Sequence, residues 1–531
     1  MHRSFLAFFL IFQVFVSPLY AEEAVDTKKA TALSEINSFL DETLFFDVSF
    51  GAFNLPKVDR AGKPVLDDNG QPEIKEVKVP FVIVVLLGGG VFFTFFFGFI
   101  NVRAFAHSIA VIRGKFDKDH DDGEISHFRA LTSALSATIG LGNIAGVAIA
   151  IQIGGPGAAV WMIVTAFFGM SSKFVSCTLS QIYRQVNPDG SISGGPMYYL
   201  DLGLKDSGRL LALFGKVIAV LYAVIVGVAA FGAGGMFQVN QAIESLESSF
   251  GISPDLDWLL GLIIAGSVGV VILGGIKKIA YATSRIVPIM FVIYMLAGSF
   301  VVLSSLDNLI PSIVLMFKMA FSGEAVFGGF IGVLVMGIQR GSFSNEAGVG
   351  SAAIVHSAAK TNEPVREGIV AMIGPFIDTI IVCTMTALVV IVTGTWDNPD
   401  IVAQGSNIGV SITSAAFATV IPWFPYVLTL CILLFAYSTM IAWCYYGERG
   451  WIYVVNHFGS PAAALGQKTV ILYRIAFLIA LVIGAISSLE DVINFTDYVF
   501  LGLAIPNIFG CLFLVKKIKP LKDQYLQQYC S

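Results

Sequence analysis

From residue 80 to residue 515 the chain runs through one apolar stretch after another, each long enough to cross a bilayer. A hydrocarbon core about 30 Å thick takes roughly 20 apolar residues of helix. Eleven segments qualify: 80–102, 129–153, 157–183, 211–237, 257–276, 286–305, 325–360, 367–393, 422–446, 469–488 and 492–515. Backbone groups in lipid must find partners within their own segment, so these segments are expected to be helices. The composition agrees, with 56% hydrophobic and 13% charged residues, where a soluble domain carries about 25% charged. A soluble enzyme or a nucleic-acid binder is excluded, and the net charge of −5 offers nothing to nucleic acid. The expected class is an all-α polytopic membrane protein whose surroundings are membrane lipids. Two shorter apolar segments, 310–322 and 408–420, are expected to lie along the outer surface.

The ends of the chain set its orientation. Residues 1–21 have one arginine, an apolar core of about a dozen residues and a small residue before Glu22, which reads as a signal peptide. Residues 22–79 then form a polar, periplasmic segment, with a helical stretch near 31–46 and a turn at Asp68-Asn69-Gly70. Lysine and arginine crowd the loops assigned to the inside, from Arg103, Arg113 and Lys115 through Lys277, Lys278, Arg366 and Arg449 to Lys516 and Lys517 in the tail. The outer loops after the first span hold only Lys318. The positive-inside rule therefore puts the N-terminal segment outside and the C-terminal tail, 516–531, in the cytoplasm of a cell bounded by a plasma (bacterial inner) membrane.

Two spans carry glycine and polar residues where a plain helix would not. The second contains Ser136-Ala-Thr-Ile-Gly140-Leu-Gly142-Asn143, and the seventh contains Gly337-Ile-Gln-Arg340-Gly-Ser-Phe343-Ser-Asn-Glu346-Ala-Gly348. The seventh, 325–360, would be about 54 Å long as one helix, so a helix, an unwound stretch and a second short helix fit better. Intramembrane ions and amides are costly and mark pathways. Without the first span, ten remain, five in each half, and the broken helices open both halves. An odd number per half makes the halves (129–305 and 325–515) inverted copies, with 80–102 as an extra N-terminal helix. Interrupted helices at matching places in inverted halves point to a transporter's binding site. The open N–H groups around Leu141 and Gly142 suit a carboxylate, and carbonyls near Ser136 and Ile139 suit a cation. The expected cargo is a zwitterion carried with a cation.

Six motifs, GLGNIAGVA (140–148), GGPGAAVWM (154–162), GGPMYYL (194–200), RGSFSNEAGVGS (340–351), PFIDT (375–379) and FAYSTMIAW (435–443), resemble the alanine or glycine:cation symporter family. The resemblance covers about residues 80–515. It implies a LeuT-type five-plus-five fold and symport of small neutral amino acids with Na+ as coupling ion. It also implies substrate contacts at Gly140, Leu141, Gly142, Asn143, Gln238, Phe343 and Trp443, and a sodium site formed by Ser136, Ile139, the Phe435 carbonyl, Ser438 and Thr439. Gating or coupling candidates are Lys173, Arg340, Glu346 and Asp378. Arg340 pairs with Glu346 across the unwound stretch, or Glu346 answers Lys173. Asp378 is a gate, a helix cap or a cation ligand.

Other chemistries find no support. The acidic run at 117–123 lacks the glycine and glutamate of a calcium loop. The six histidines, at 2, 107, 120, 127, 356 and 457, form no cluster in the sequence, and no cysteine pair is spaced as a metal ligand. A proton in place of sodium, or a broader substrate range with serine or glutamine, remains compatible with these residues. A channel would need a continuous polar path, and a nutrient sensor a cytoplasmic signalling domain.

Overall fold

The computed structural model describes residues 46–49, 54–56, 71, 74–76, 78–118, 120–188, 190–321, 329–398, 409–458 and 463–529. The signal peptide and nearly all of 22–79 lie outside the described residues. What is described of that segment docks on the first helix: strands β1 (Asn54–Pro56) and β2 (Ile74–Glu76) pair antiparallel, and Phe46 stacks on Phe81.

The helices follow in order. They are α1 (Phe81–Phe96), α2 (Phe105–Ile112), α3 (His127–Thr138), α4 (Ala145–Gly154), α5 (Ala158–Ile182), α6 (Pro196–Leu204), α7 (Arg209–Phe231), α8 (Phe237–Phe250), α9 (Asp257–Ile272) and α10 (Gly275–Ser304). The second half runs α11 (Leu306–Phe321), α12 (Gly329–Asn345), α13 (Ala352–His356), α14 (Pro364–Ala371), α15 (Thr384–Val392), α16 (Gly409–Ala418), α17 (Phe424–Phe458), α18 (Ala463–Ile486), α19 (Leu489–Gly502) and α20 (Ala504–Tyr529). Among the described residues eight helices are long and apolar enough to cross a membrane, and nine if the bent pair formed by α3 and Leu141–Gly154 counts as one span. The chain is a multi-pass membrane protein.

Several expected spans change shape. The first, 80–102, is broken after Phe96, where Gly98 and Phe99 take left-handed φ of 62° and 57° and turn the chain, and it resumes as a short helix at Ile100–Arg103. The fourth does not stop at 237: α7 and α8 are joined through a wide π-turn at Gly232–Met236 into one rod from Arg209 to Phe250. The segment 310–322 is the amphipathic helix α11, and 408–420 contains α16. The tail expected at 516–531 is a direct helical extension of the last span, reaching Tyr529.

Small residues decide how closely the rods approach. A Cβ on Gly234 would lie 2.1 Å from the Trp443 Cβ, and one on Gly450 would lie 2.5 Å from the Ala223 carbonyl oxygen. The GAGG sequence of the π-turn thus lets α17 press against α7 and α8.

Candidate functional site

The two breaks lie beside each other, and each has a clear backbone cause. In the first, α3 ends at Thr138 and Gly140 is extended (φ −137°, ψ −151°), followed by a single tight turn, Leu141–Asn143. The two helical pieces meet at a 61° bend. The freed backbone groups are accounted for one by one, as burial demands. Asn143 Oδ1 accepts the Gly140 N–H at 3.0 Å, and Gln238 Oε1 accepts the Leu141 N–H at 3.2 Å. The Thr386 hydroxyl donates to the Asn143 carbonyl at 2.8 Å, and Thr413 donates to the Ile144 carbonyl at 3.3 Å.

The second break falls later than the middle of 337–348. Helix α12 continues through Arg340 and Phe343 to Asn345. The chain then unwinds over Glu346–Ser351, where Glu346 takes φ 56°, Gly348 89° and Gly350 83°, before α13 begins. A side chain at φ near +56° is uncommon outside glycine, so Glu346 is held there by its contacts. Its carboxylate accepts the Trp443 indole N–H at 3.0 Å and the Ser351 hydroxyl. The Asn507 amide donates to the Gly348 carbonyl at 2.6 Å, and the Tyr222 hydroxyl to that of Val349 at 2.9 Å.

Between the breaks sits a fully buried carboxylate, Asp378, in a second π-turn at Phe376–Cys383. Its Oδ1 accepts from Asn143 Nδ2 at 2.7 Å, and its Oδ2 accepts from the Ser344 and Thr379 hydroxyls, both at 2.7 Å. Asn345 Nδ2 reaches Thr379 at 3.1 Å. One aspartate therefore ties the first break, the end of α12 and the following span together through neutral donors. Asn143, expected on the substrate, spends its amide on Gly140 and Asp378. The Lys173 ammonium is the cation of this region: Glu346 and Asp378 both act on it electrostatically, and a Cβ on Gly374 would lie 3.2 Å from its Nζ.

Of the two pairings expected of Glu346, the one with Arg340 is not formed. The two terminal nitrogens of Arg340 grip Asp497 on α19 at 2.6 and 3.2 Å, with Gln339 beside them at 2.9 Å. That buried pair is neutral in itself, so among the described residues Lys173 is the cation left to act on Glu346 and Asp378.

The positions expected to hold sodium also converge. Ser136 Oγ donates to the Ser438 carbonyl at 2.7 Å, and Thr439 Oγ1 donates to the Ser136 carbonyl at 2.9 Å. The Ser438 hydroxyl turns back to the Phe435 carbonyl at 3.0 Å. Ile139 ends α3 directly beside them, and a Cβ on Gly140 would lie 2.6 Å from Thr439 Oγ1. Hydroxyl and carbonyl oxygens alone form this cluster, the donor set of a hard monovalent cation.

An aromatic wall closes the other side. Phe343 meets Phe237 edge-on at 5.5 Å and Phe500 at 5.0 Å, and Trp443 meets Phe500 at 5.8 Å. A Cβ on Gly142 would lie 3.4 Å from the Phe343 ring, which places that wall against the first break. Sequence reasoning missed Ser344, Thr379, Asp497, Phe237 and Phe500. Ser344 and Thr379 stand inside quoted motifs and were within reach of it. Asp497, an acidic residue inside the expected span 492–515, carries the intramembrane-charge signal that should have found it; Phe500 carries no local signal. The histidines need a correction too: His127 and His356 both bond Glu367, although His127 is 240 positions from it in the chain.

The model of the sodium:alanine symporter family matches residues 71–531. The chain is 42% identical over 436 residues to the sodium/alanine symporter AgcS of Methanococcus maripaludis, covering 82% of this chain and 92% of that one. It is 33% identical over 426 residues to the amino-acid carrier protein AlsT of Bacillus subtilis, covering 80% and 84%. Among solved structures, a Na+-coupled sialic acid symporter in its substrate-bound outward-open state aligns with a TM-score of 0.48 at 13% identity, over 76% of this chain and 80% of that one. On sequence, the chain belongs to the sodium:alanine symporter family.

Proposed function

We propose that the protein imports a small neutral amino acid, alanine or glycine, together with Na+ by alternating access. The architecture we infer has eleven spans, five-plus-five inverted repeats behind one extra N-terminal helix. In this reading α12, the second break and α13 form one span, and α1 with its bent continuation forms the first. The N-terminal segment lies outside and the C-terminal helix in the cytoplasm.

One observation carries the reading. The chamber between the breaks holds two buried carboxyl groups, Glu346 and Asp378, and one lysine, Lys173; with all three ionised, one negative charge is left without a counter-ion among the described residues. A buried charge of that kind is costly unless it is paired, and Na+ beside Asp378, Asn143, Ser344 and Thr379 pairs it. The oxygen cluster of Ser136, Ile139, Phe435, Ser438 and Thr439 accepts a second Na+ as its hydroxyl protons turn away. The substrate's carboxylate takes the N–H groups at Leu141 and Gly142, displacing the Gln238 oxygen from Leu141. Its side chain meets Phe343 and Trp443, where hydrogen or methyl fits with the least displacement. The names borne by AgcS and AlsT, a sodium/alanine symporter and an amino-acid carrier, accord with this. A half-helix on each side of the chamber gives each cargo a ligand from both halves, so ion and amino acid together draw the halves closed.

The test is uptake of labelled alanine into proteoliposomes under an inward sodium gradient. Accumulation that collapses when sodium is equal on both sides supports the reading. Linear flux indifferent to the gradient would mean a channel, and accumulation driven by a proton gradient alone would replace the coupling ion.

A further inference from the structure

One end of the bundle is closed by a seal that neither the chamber nor its ligands use. Glu367, at the start of α14, is fully buried and accepts from two imidazoles at once, His356 Nδ1 at 2.6 Å and His127 Nδ1. His127 opens α3, the half-helix before the first break, and His356 closes α13, the half-helix after the second. A single carboxylate thus bolts together the outlying halves of both broken spans and the span that carries Asp378. The chain segments flanking it are paired backbone to backbone: Glu124 N–H to the Ala358 carbonyl at 2.8 Å, Lys360 N–H to that of Ile125 at 2.8 Å, and Thr361 N–H to that of Asp122 at 3.0 Å.

Arg184 completes the seal. Its guanidinium donates to four carbonyls on both segments: Ser357 at 3.1 Å, Ala359 at 2.8 Å, Asp122 at 2.9 Å and Thr361 at 2.7 Å. The fork shape of arginine allows this, and the point charge of lysine does not. Beside Glu367, Arg366 donates to the Phe116 carbonyl at 3.0 Å, lies 3.6 Å from Asp121, and sits over the Tyr525 and Tyr529 rings of α20 at 5.9 and 5.4 Å.

Resting on the transport reading above, we propose that this seal is the gate at the end of the bundle that carries the C-terminal helix. Glu367 is its latch, a positioning residue whose two imidazole hydrogen bonds must break before the half-helices separate and cargo leaves. Breaking them costs nothing at the chamber, because no residue of the seal touches Asp378, Asn143 or the oxygen cluster. The latch therefore sets how often this side opens and leaves the cargo contacts as they are.

Cys177 gives a native reporter. It is buried in α5 one turn before Gln181, whose amide holds the His356 carbonyl at 2.6 Å, so it lies behind the seal. Inside-out vesicles are treated with a membrane-impermeant maleimide, and alkylation of Cys177 is followed by mass spectrometry. Glu367→Ala removes both bonds and should speed it at least tenfold, since about 1.4 kcal/mol is tenfold and each bond to a charged group is worth about that or more. It should also raise the half-saturating external sodium for uptake. Glu367→Gln should return the rate toward wild type, because its amide accepts from one imidazole and donates to the other once that ring moves its proton to Nε2. Equal labelling of wild type and Glu367→Ala would overturn the latch, as would equally fast labelling of the alanine and glutamine variants. If Glu367→Ala fails to reach the membrane, Arg184→Lys takes its place, and an unchanged labelling rate there overturns the gate. Failure of wild-type uptake would remove the transport reading, while the labelling still decides whether the seal opens.

Discussion

Asp378→Asn isolates the charge that the transport reading depends on. The substitution changes almost no volume, so the packing of the second π-turn is preserved. It removes the negative charge and replaces one acceptor oxygen by a donor, where the carboxylate now receives Asn143 Nδ2 and the Ser344 and Thr379 hydroxyls, each at 2.7 Å. Hydroxyls can rotate to accept; the Asn143 amide stays fixed by Gly140. The amide oxygen therefore faces Asn143, and the hydrogen-bond cost is about 1 kcal/mol. The electrostatic loss is larger. A sodium ion about 4 Å from a carboxylate gains about 4 kcal/mol at an effective dielectric constant of about 20, and each 1.4 kcal/mol is about tenfold in affinity. Half-saturating sodium for labelled-alanine uptake in proteoliposomes should therefore rise by about two to three orders of magnitude, with the protein present in the membrane at its normal level. A half-saturating sodium within twofold of wild type would show that no ion is balanced at Asp378.

Three further substitutions probe the rest of the chamber. Replacing Ser438 and Thr439 together with alanine removes two oxygens from the cluster beside Ser136 and should raise half-saturating sodium about tenfold or more; an unchanged sodium titration would release that cluster from ion binding. Asn143→Ala leaves the Gly140 N–H without its side-chain acceptor and Asp378 with one donor fewer, a loss of about 3 kcal/mol in the closed chamber, so uptake should fall below detection while membrane abundance is kept. Gly234→Ala places a methyl 2.1 Å from the Trp443 Cβ, and overpacking of this kind costs about 1–3 kcal/mol; uptake should drop at least tenfold, and a normal rate would mean that the Trp443 contact is not needed.

Much of this arrangement could be read from the residues in order. Gly140, Gly142 and Asn143 announced the first break because glycine and an amide have no use in a lipid-facing helix, and the chain does unwind there. The second break was legible as a fact and misplaced in position. Glycine at 337 and 341 marks close helix packing, whereas the left-handed turn is made by Glu346, Gly348 and Gly350. The pairing of distant residues left no trace. Arg340 and Asp497 are 157 positions apart, and His127 and Glu367 are 240 apart. Spacing along the chain says nothing about such pairs, so the sequence offers Glu346 as one partner for Arg340 and leaves the histidines scattered. The continuity of α7 and α8 escaped for a different reason. Apolar periodicity fades after residue 237, where α8 leaves the apolar region with its polar face of Gln238, Gln241 and Glu244, while the backbone continues as a helix.

The claim beneath all of these is that sodium and amino acid occupy one chamber shared by the two breaks. Linkage makes that measurable: if each steadies the same closed arrangement, each must raise the other's affinity by the same factor. Equilibrium binding of labelled alanine to the purified protein, titrated against sodium, should show alanine affinity rising at least tenfold, with the reciprocal sodium titration moving by the same factor when alanine is present. Alanine affinity independent of sodium would mean that the two ligands do not meet across the breaks, and the coupling drawn here would be wrong.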